Sequence, residues 1–262
     1  MRALSIAATG MLAQQTNVEV IANNLANMNT TGYKAQRAAF QDLLYQNIQQ
    51  AGAQSSDTGT VLPSGIQLGA GVRTAAVYRI TKAGDMKNTA NPYDVAINGA
   101  GYFRIKLPDG TDGYSRDGNF SLSPEGQLVT QQGYTVQPGI AIPSTATAVT
   151  INTQGQVMAT IPGQTATQLV GQLELTRFPN DAGLSAKGDN LYTETAASGA
   201  PQAGVPGSTG YGTIQQYFLE TSNVDPVTEI SSLIAAQRAY EMNSKVITSA
   251  DQMLAETAKL GG

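Results

Sequence analysis

Asp109, Asp112 and Asp117 each precede a glycine within one short stretch of this 262-residue chain. Two carboxylates on either side of a glycosidic bond can act as acid and base in its hydrolysis, so a sugar-polymer hydrolase is the sharpest chemistry these residues allow. The chain has no His and no Cys. That excludes Ser–His and Cys–His nucleophiles, His-bound metals and Cys zinc sites. Catalysis would rest on carboxylates, Lys, Tyr or an unusual hydroxyl. Asp before Gly is also ordinary turn chemistry, because the short side chain bonds the backbone two residues on and Gly tolerates positive φ. Turns are the reading of all three. Gly69-Ala70-Gly71 and Gly99-Ala100-Gly101 look like fragments of a phosphate loop, but each lacks the third glycine and the following helix. They read as turns or bulges. No cofactor, no metal and no catalytic residue is expected.

The elements that must carry any site follow from punctuation and period. All 11 prolines lie between Pro63 and Pro226, and all but four of the 28 glycines lie between Gly52 and Gly212. Helix breakers are therefore scarce at both ends and dense between them. At the start, Leu4, Met11, Val18 and Leu25 recur every seven residues, with Ala7, Gln14, Ile21 and Met28 three residues on. This stripe predicts a helix that stops near Asn29-Thr30-Thr31-Gly32, with Gly32 as a left-handed cap. At the other end, Asp225 suits an N-cap and Pro226 a first helical turn. Leu233, Tyr240, Ile247 and Leu254 then repeat by sevens, accompanied by Ile230, Ala236, Asn243 and Ala250.

Between the helices, short alternating runs are bounded by Gly, Pro and Asp: 94–97, 101–107, 119–122, 127–130, 134–136, 149–151 and 169–175. Strands at about ten-residue spacing predict an all-β unit. Segments 51–65 and 196–212 read as exposed loops or linkers. The fold class expected is α+β: a discontinuous α-helical coiled-coil domain drawn from both termini, plus a central all-β domain. The domains expected are 1–34 with 224–262 for assembly, 35–72 with 213–223 as a connector carrying an extended loop or hairpin at 45–65, and 73–212 as the β-domain.

Charge limits the partners. Lys and Arg number 15 against 19 Asp and Glu, a net charge of −4, and charged residues make up only 13%, against about 25% in typical globular domains. No basic stripe exists to neutralise phosphates, so nucleic acid is not an expected partner. No apolar run is long enough for a membrane-spanning helix. The apolar N-terminal stretch is broken by Ser5, Thr9 and Gly10, and its period runs on, so it reads as a helix and not a cleaved signal.

Each terminal stripe offers a handful of large apolar side chains worth about 1.5–3 kcal/mol each on burial. Ordering the backbone costs roughly 1–2 kcal/mol per residue, so a lone helix is not stable and a partner must cover the stripe. A pair of terminal helices leaves Ile6, Leu12, Val246 and Met253 partly off the seam, with little charge to solvate them. The expectation is that the helices pack against copies of themselves and are poorly ordered in the free monomer. The simpler reading is a helical pair folded onto the β-domain.

Asn23-Asn24-Leu25-Ala26-Asn27-Met28-Asn29-Thr30-Thr31-Gly32-Tyr33-Lys34 resembles the N-terminal signature of the flagellar rod and hook family. Glu220-Thr221-Ser222-Asn223-Val224-Asp225 and the stretch from Gln237 to Ile247 resemble its C-terminal signature, and 94–103 and 114–120 its central motifs. The order is right and the motifs span most of the chain. Tyr45-Gln46-Asn47-Ile48-Gln49-Gln50-Ala51-Gly52-Ala53-Gln54-Ser55-Ser56 resembles a segment that marks the distal-rod branch, which is straight, off from the curved hook. The resemblance implies a tubular helical homo-oligomer with the terminal helices lining an export channel and the β-domain outside. It implies torque transmission and export without a cleaved signal, and it places the chain in the basal body's rod within the periplasm. Implied partners are proximal rod proteins, hook and rod–hook junction subunits, the ring proteins of the peptidoglycan layer and outer membrane, and the flagellar export apparatus. The residues expected to carry self-assembly are Leu4, Met11, Val18, Ile21, Asn24, Leu25, Asn27, Leu233, Gln237, Arg238, Tyr240, Asn243, Ile247 and Leu254. Rod-specific contacts are expected from Tyr45, Gln46, Ile48, Gly52, Gln54 and Ser55. The asparagines and Gln237, Arg238 and Glu241 read either as polar ties between subunits or as solvated faces. A hook or proximal-rod paralogue, a peptidoglycan-cutting enzyme and a secreted adhesin are the alternatives.

Overall fold

The computed structural model describes residues 2–49, 64–164 and 166–260. The chain divides into two compact units. One takes residues 1–25, 36–78 and 225–262, the other 26–35 and 79–224.

The first unit holds both helices, α1 (Arg2–Ala26) and α2 (Pro226–Leu260). Asp225 caps α2: its carboxylate accepts from the Val227 N–H at 3.1 Å and the Thr228 hydroxyl at 2.7 Å. The helices face one another antiparallel. Gly10 lies opposite Asn243, and Gln15, Val18 and Glu19 share a groove with Gln237, Tyr240 and Glu241. The buried residues of this pair are Ala7, Ala13, Val20, Ile21 and Asn24 on α1 and Ala236 and Ala250 on α2, so small side chains make up much of what is removed from water. Leu4, Met11, Val18, Leu25, Leu233 and Ile247 are only half-buried. A two-helix pair covers one side of each helix, so long side chains at its margins keep part of their surface in water. Alongside the helices, Gln36–Asp42 pairs with Val72–Arg79, and Tyr45–Gln49 pairs antiparallel with Ile66–Gly69.

The first helix stops earlier than its period predicts. It ends at Ala26, and residues 27–33 continue in turns closed by Thr30 N–H to Asn27 O and Tyr33 N–H to Thr30 O. Asn27 accepts from the Thr30 hydroxyl at 3.1 Å, the local side-chain bonding that draws Asn and Thr out of helices. Gly32 is left-handed as expected, at φ +66°, but it closes the turn and does not cap the helix.

The second unit is β-rich. A nine-stranded sheet is built around Tyr102–Lys106, which pairs with Asp112–Ser115, Thr135–Val136 and Leu175–Arg177. Ala148–Ile151, Gln156–Thr160 and Gln168–Gln172 form a three-stranded sheet. Two antiparallel pairs bring late segments back to early ones: Thr213–Gln216 with Val95–Asn98, and Phe218–Glu220 with Met86–Asn88. Val95, Ile97, Phe103, Leu128, Leu175 and Ile214 fill the centre at 1% exposure or less. Segment 196–212 is mostly exposed, as its composition predicts, but it is not all loop. Gln202–Gly204 pairs with Leu175–Arg177, and Ser198 is fully buried. The Gly, Pro and Ser of the segment signal turns, but a partner some thirty residues away decides the strand.

Gly118 sits where the backbone must pass close. A Cβ there would collide with the Val95 carbonyl oxygen. Gly118→Ala is expected to destabilise the β-rich unit by about 1–3 kcal/mol or more, because the obstacle is backbone that cannot rotate away. Urea unfolding of the two proteins measures this, and an unchanged midpoint contradicts the packing described.

Candidate functional site

Two features stand out once the elements are in place: the surface of the helix pair, and a buried cluster of charges in the β-rich unit.

On the helices, Ile6, Leu12, Val227, Ile230, Ile234, Met242, Val246 and Met253 are exposed, several by more than 60% of their surface. Ile230 and Leu254 belong to the heptad lines yet face solvent, as does Tyr240 at 43%. Each apolar side chain of this size gains about 1.5–3 kcal/mol when fully buried, so the single chain leaves several such gains unrealised. Of the residues expected to carry assembly, Ile21 and Asn24 are buried. Leu4, Met11, Val18, Leu25, Asn27, Leu233, Asn243 and Ile247 are half-buried, and Gln237, Arg238, Tyr240 and Leu254 are exposed. Asn24 bonds within its own chain. Its amide donates to Gln36 O and accepts from Gln36 N–H, both at 2.8 Å, tying the end of α1 to the strand that follows. Tyr45, Gln46 and Ile48 are exposed on their strand. Gly52, Gln54 and Ser55 lie outside the described residues.

The three aspartates before glycines are all engaged structurally. Asp109 accepts from the Thr111 hydroxyl and N–H at 2.5 and 2.9 Å, and these bonds hold its pKa below the ordinary value. Asp117 accepts from the Asn119 N–H at 3.0 Å and the Asn190 amide at 3.1 Å, while burial pushes its pKa up. Asp112 is no turn residue: it starts the strand Asp112–Ser115 and pairs with Lys106 at 3.2 Å and Arg104 at 4.0 Å. Asp112 and Lys106 are direct cross-strand neighbours, and their opposite charges favour the pairing over a turn. Among the described residues no group of three or more carboxylates could hold a metal ion.

The Gly99-Ala100-Gly101 loop has the opposite polarity to a phosphate cradle. The carbonyls of Ile97, Gly99 and Gly101 accept from the Arg116 guanidinium at 3.1, 3.0 and 2.9 Å. Positive φ at both glycines, +121° and +139°, lets these carbonyls converge on a cation.

Arg116 belongs to the buried cluster. Its Nε donates to Glu220 Oε2 at 2.7 Å, and Lys34 Nζ donates to Glu220 Oε1 at 2.5 Å. Gly84 N–H also donates to Oε1, at 2.9 Å, and Lys34 has a second acceptor in Lys82 O at 3.0 Å. Side-chain exposure is 3% for Lys34, 5% for Arg116 and zero for Glu220. Burial lowers the Lys34 pKa, helped by the nearby guanidinium. For Glu220 burial acts upward, but Arg116 and Lys34 together hold the carboxyl below its ordinary value. Asn223 completes the arrangement, accepting from the Ala35 N–H at 2.7 Å and donating to Ile80 O and Lys82 O at 2.9 Å. In the sequence Lys34, Arg116, Glu220 and Asn223 fall inside the family-like motifs but carry no visible role. The available signal was slight: Lys34, Arg116 and Glu220 are three of the few charges in a chain with so little charge.

Taken together, a pair of helices with uncovered apolar faces, joined through the chain to a β-rich unit whose candidate carboxylates are all spent on turns and pairs, defines an assembling structural subunit. Comparison with known proteins specifies which. The family model for flagella basal body rod proteins matches residues 4–34, that of the flagellar hook protein FlgE/F/G D1 domain 96–159, and that of the flagellar basal body rod FlgEFG C-terminal region 215–260. The flagellar basal-body rod protein FlgG of Caulobacter vibrioides is 56% identical over 260 residues, covering 99% of each chain, and that of Agrobacterium fabrum 52%, also covering 99% of each. The rod protein FlgF of the same Caulobacter is 36% identical, over 94% of this chain and 91% of its own. The chain belongs to the flagellar basal-body rod protein family, and it is a structural subunit of the distal rod, not an enzyme. It works in the basal body with other flagellar components, and no helix among the described residues is long and apolar enough to cross a membrane.

Proposed function

We propose that this subunit polymerises into a rigid helical tube that spans the periplasm, encloses the export channel and passes motor torque to the hook. In this reading 1–34 with 224–262 form the coiled-coil inner layer, 35–72 with 213–223 the connector, and 73–212 the outer β-domain. Leu4, Met11, Val18, Leu25, Tyr240, Ile247 and Leu254 meet neighbouring subunits, joined by Gln237 and Arg238 at its polar edge. Proximal rod proteins lie below, hook and junction subunits above, and the ring proteins around it. The chain reaches that place unfolded through the flagellar export apparatus, without cleavage of its N-terminus.

The observation that carries this reading is the contrast within one organism. Identity is 56% to the FlgG of Caulobacter vibrioides and 36% to its FlgF, each over nearly the whole chain. The exposed apolar side chains on both helices supply the means of polymerising. The test is complementation. Expressed in a Caulobacter strain lacking FlgG, the chain is expected to restore swimming and a full-length rod in isolated basal bodies. In a strain lacking only FlgF it is expected to restore nothing. Rescue of the second strain and not the first overturns the assignment.

A further inference from the structure

The buried cluster joins the segment by which the chain first enters the β-rich unit, before returning to the helix-bearing unit for residues 36–78, to the segment by which it finally leaves. The entering segment, 32–35, and the leaving segment, 220–223, lie side by side: Gly32 N–H donates to Glu220 O at 2.8 Å, Asn223 N–H to Tyr33 O at 3.5 Å, and Ala35 N–H to the Asn223 side chain at 2.7 Å. Residue number rises in the same direction along both, so the segments run parallel. Pulling the N-terminal end of one against the C-terminal end of the other slides them lengthwise. The bonds between them then share the load and must fail together. In an antiparallel hairpin pulled from its open end, by contrast, they fail one at a time.

We propose that segments 32–35 and 220–223, riveted by Lys34, Glu220, Arg116 and Asn223, form a shear clasp that bears tension between the two helix-bearing ends of the chain. The proposal extends the reading of the subunit as part of a loaded shaft. The clasp keeps that tension off the sheet behind it. Lys34 and Arg116 hold the two oxygens of one carboxylate, and Asn223 reaches Ala35 on the entering side and Ile80 and Lys82 beyond it. The Lys34–Glu220 ion pair and the Asn223 amide bond both cross between the two segments, so sliding breaks both together. Burial adds to the resistance, because water cannot compete for the separated groups until the clasp has opened.

The chain has no native Cys, so Ser5→Cys and Lys259→Cys give two handles for pulling the full chain in an optical trap. Forced rupture reports the unfolding barrier, not equilibrium stability. The expected record is one high-force event releasing on the order of 600 Å of chain, at about 3.3–3.6 Å per residue. Glu220→Gln is expected to speed unfolding under load at least tenfold. Asn223→Ser, which keeps the charges, is expected to act in the same direction should Glu220→Gln fail to fold. Val136→Ala, in the core away from both segments, is the control: it lowers the melting temperature and leaves rupture force nearly unchanged. Rupture force falling in the same proportion to melting temperature in the control and the clasp variants overturns the clasp, as does an unchanged force in Glu220→Gln. Either result leaves the rod assignment standing. Failure of the complementation test overturns the rod assignment and leaves the pulling result intact.

Discussion

Glu220→Ala is expected to destabilise the β-rich unit by about 3–5 kcal/mol, the usual cost of removing one partner from a buried ion pair. The cost arises less from the lost attraction than from what is left behind. Lys34 and Arg116 are buried cations with one carboxylate between them, and the Gly84 N–H loses its acceptor too. Arg116 keeps three carbonyls, whereas Lys34 keeps only Lys82 O among its described acceptors, so the orphaned lysine bears most of the loss. Lys34→Met placed on top of Glu220→Ala is therefore expected to recover part of the stability, and urea unfolding of the two singles and the double measures it. A strictly additive double denies that the pair is coupled.

The same cluster makes stability depend on acid. The folded Glu220 carboxyl titrates below its ordinary value, so its contribution is complete above the ordinary carboxylate range and disappears as pH falls through the lowered value. Burial raises Asp117 and Asp181. The folded state binds their protons more readily, and they act in the opposite sense. Glu220→Gln removes only the first effect. Its unfolding free energy is expected to lie well below that of the parent at neutral pH and to converge on it under acid. A gap that stays constant to acid pH contradicts the assignment of the charge.

The second large effect concerns assembly. Ile247→Asp, and separately Leu25→Asp, is expected to abolish rods and swimming while leaving the β-rich unit folded. Both residues are half-buried on the helix pair, so a carboxylate survives in the single chain by turning to water. Against a neighbouring subunit that escape closes, and an unpaired buried charge costs several kcal/mol at every repeat of the polymer. Electron microscopy of basal bodies reads the rod, and hydrogen exchange of the strands around Tyr102–Lys106 reads the fold. Normal swimming in either variant rejects the role given to the stripes.

How far the residues by themselves decided the molecule can be judged element by element. The seven-residue repeats placed both helices, because period is local information, and Asp225 before Pro226 placed the start of α2 to the residue. Alternation between turn residues placed about half of the strands described in the β-rich unit, and those at Met86–Asn88, Gln156–Thr160 and Thr213–Gln216 are among the ones it did not show. The end of α1 was misplaced by a few residues because Asn27 and Thr30 bond each other and their own backbone instead of continuing the helix. Gln202–Gly204 was missed because its partner strand lies far along the chain.

Composition narrowed the chemistry: without His or Cys only carboxylates, Lys, Tyr or an unusual hydroxyl were left, and of the aspartates before glycines Asp109 and Asp117 went to turns and Asp112 to a strand. The motifs that carry the family resemblance were likewise legible in one dimension. Only the tertiary structure brought Lys34, Arg116, Glu220 and Asn223 together, from positions up to about 190 residues apart. A buried charge is stable only against an opposite charge in three dimensions, and spacing along a chain holds no record of that meeting.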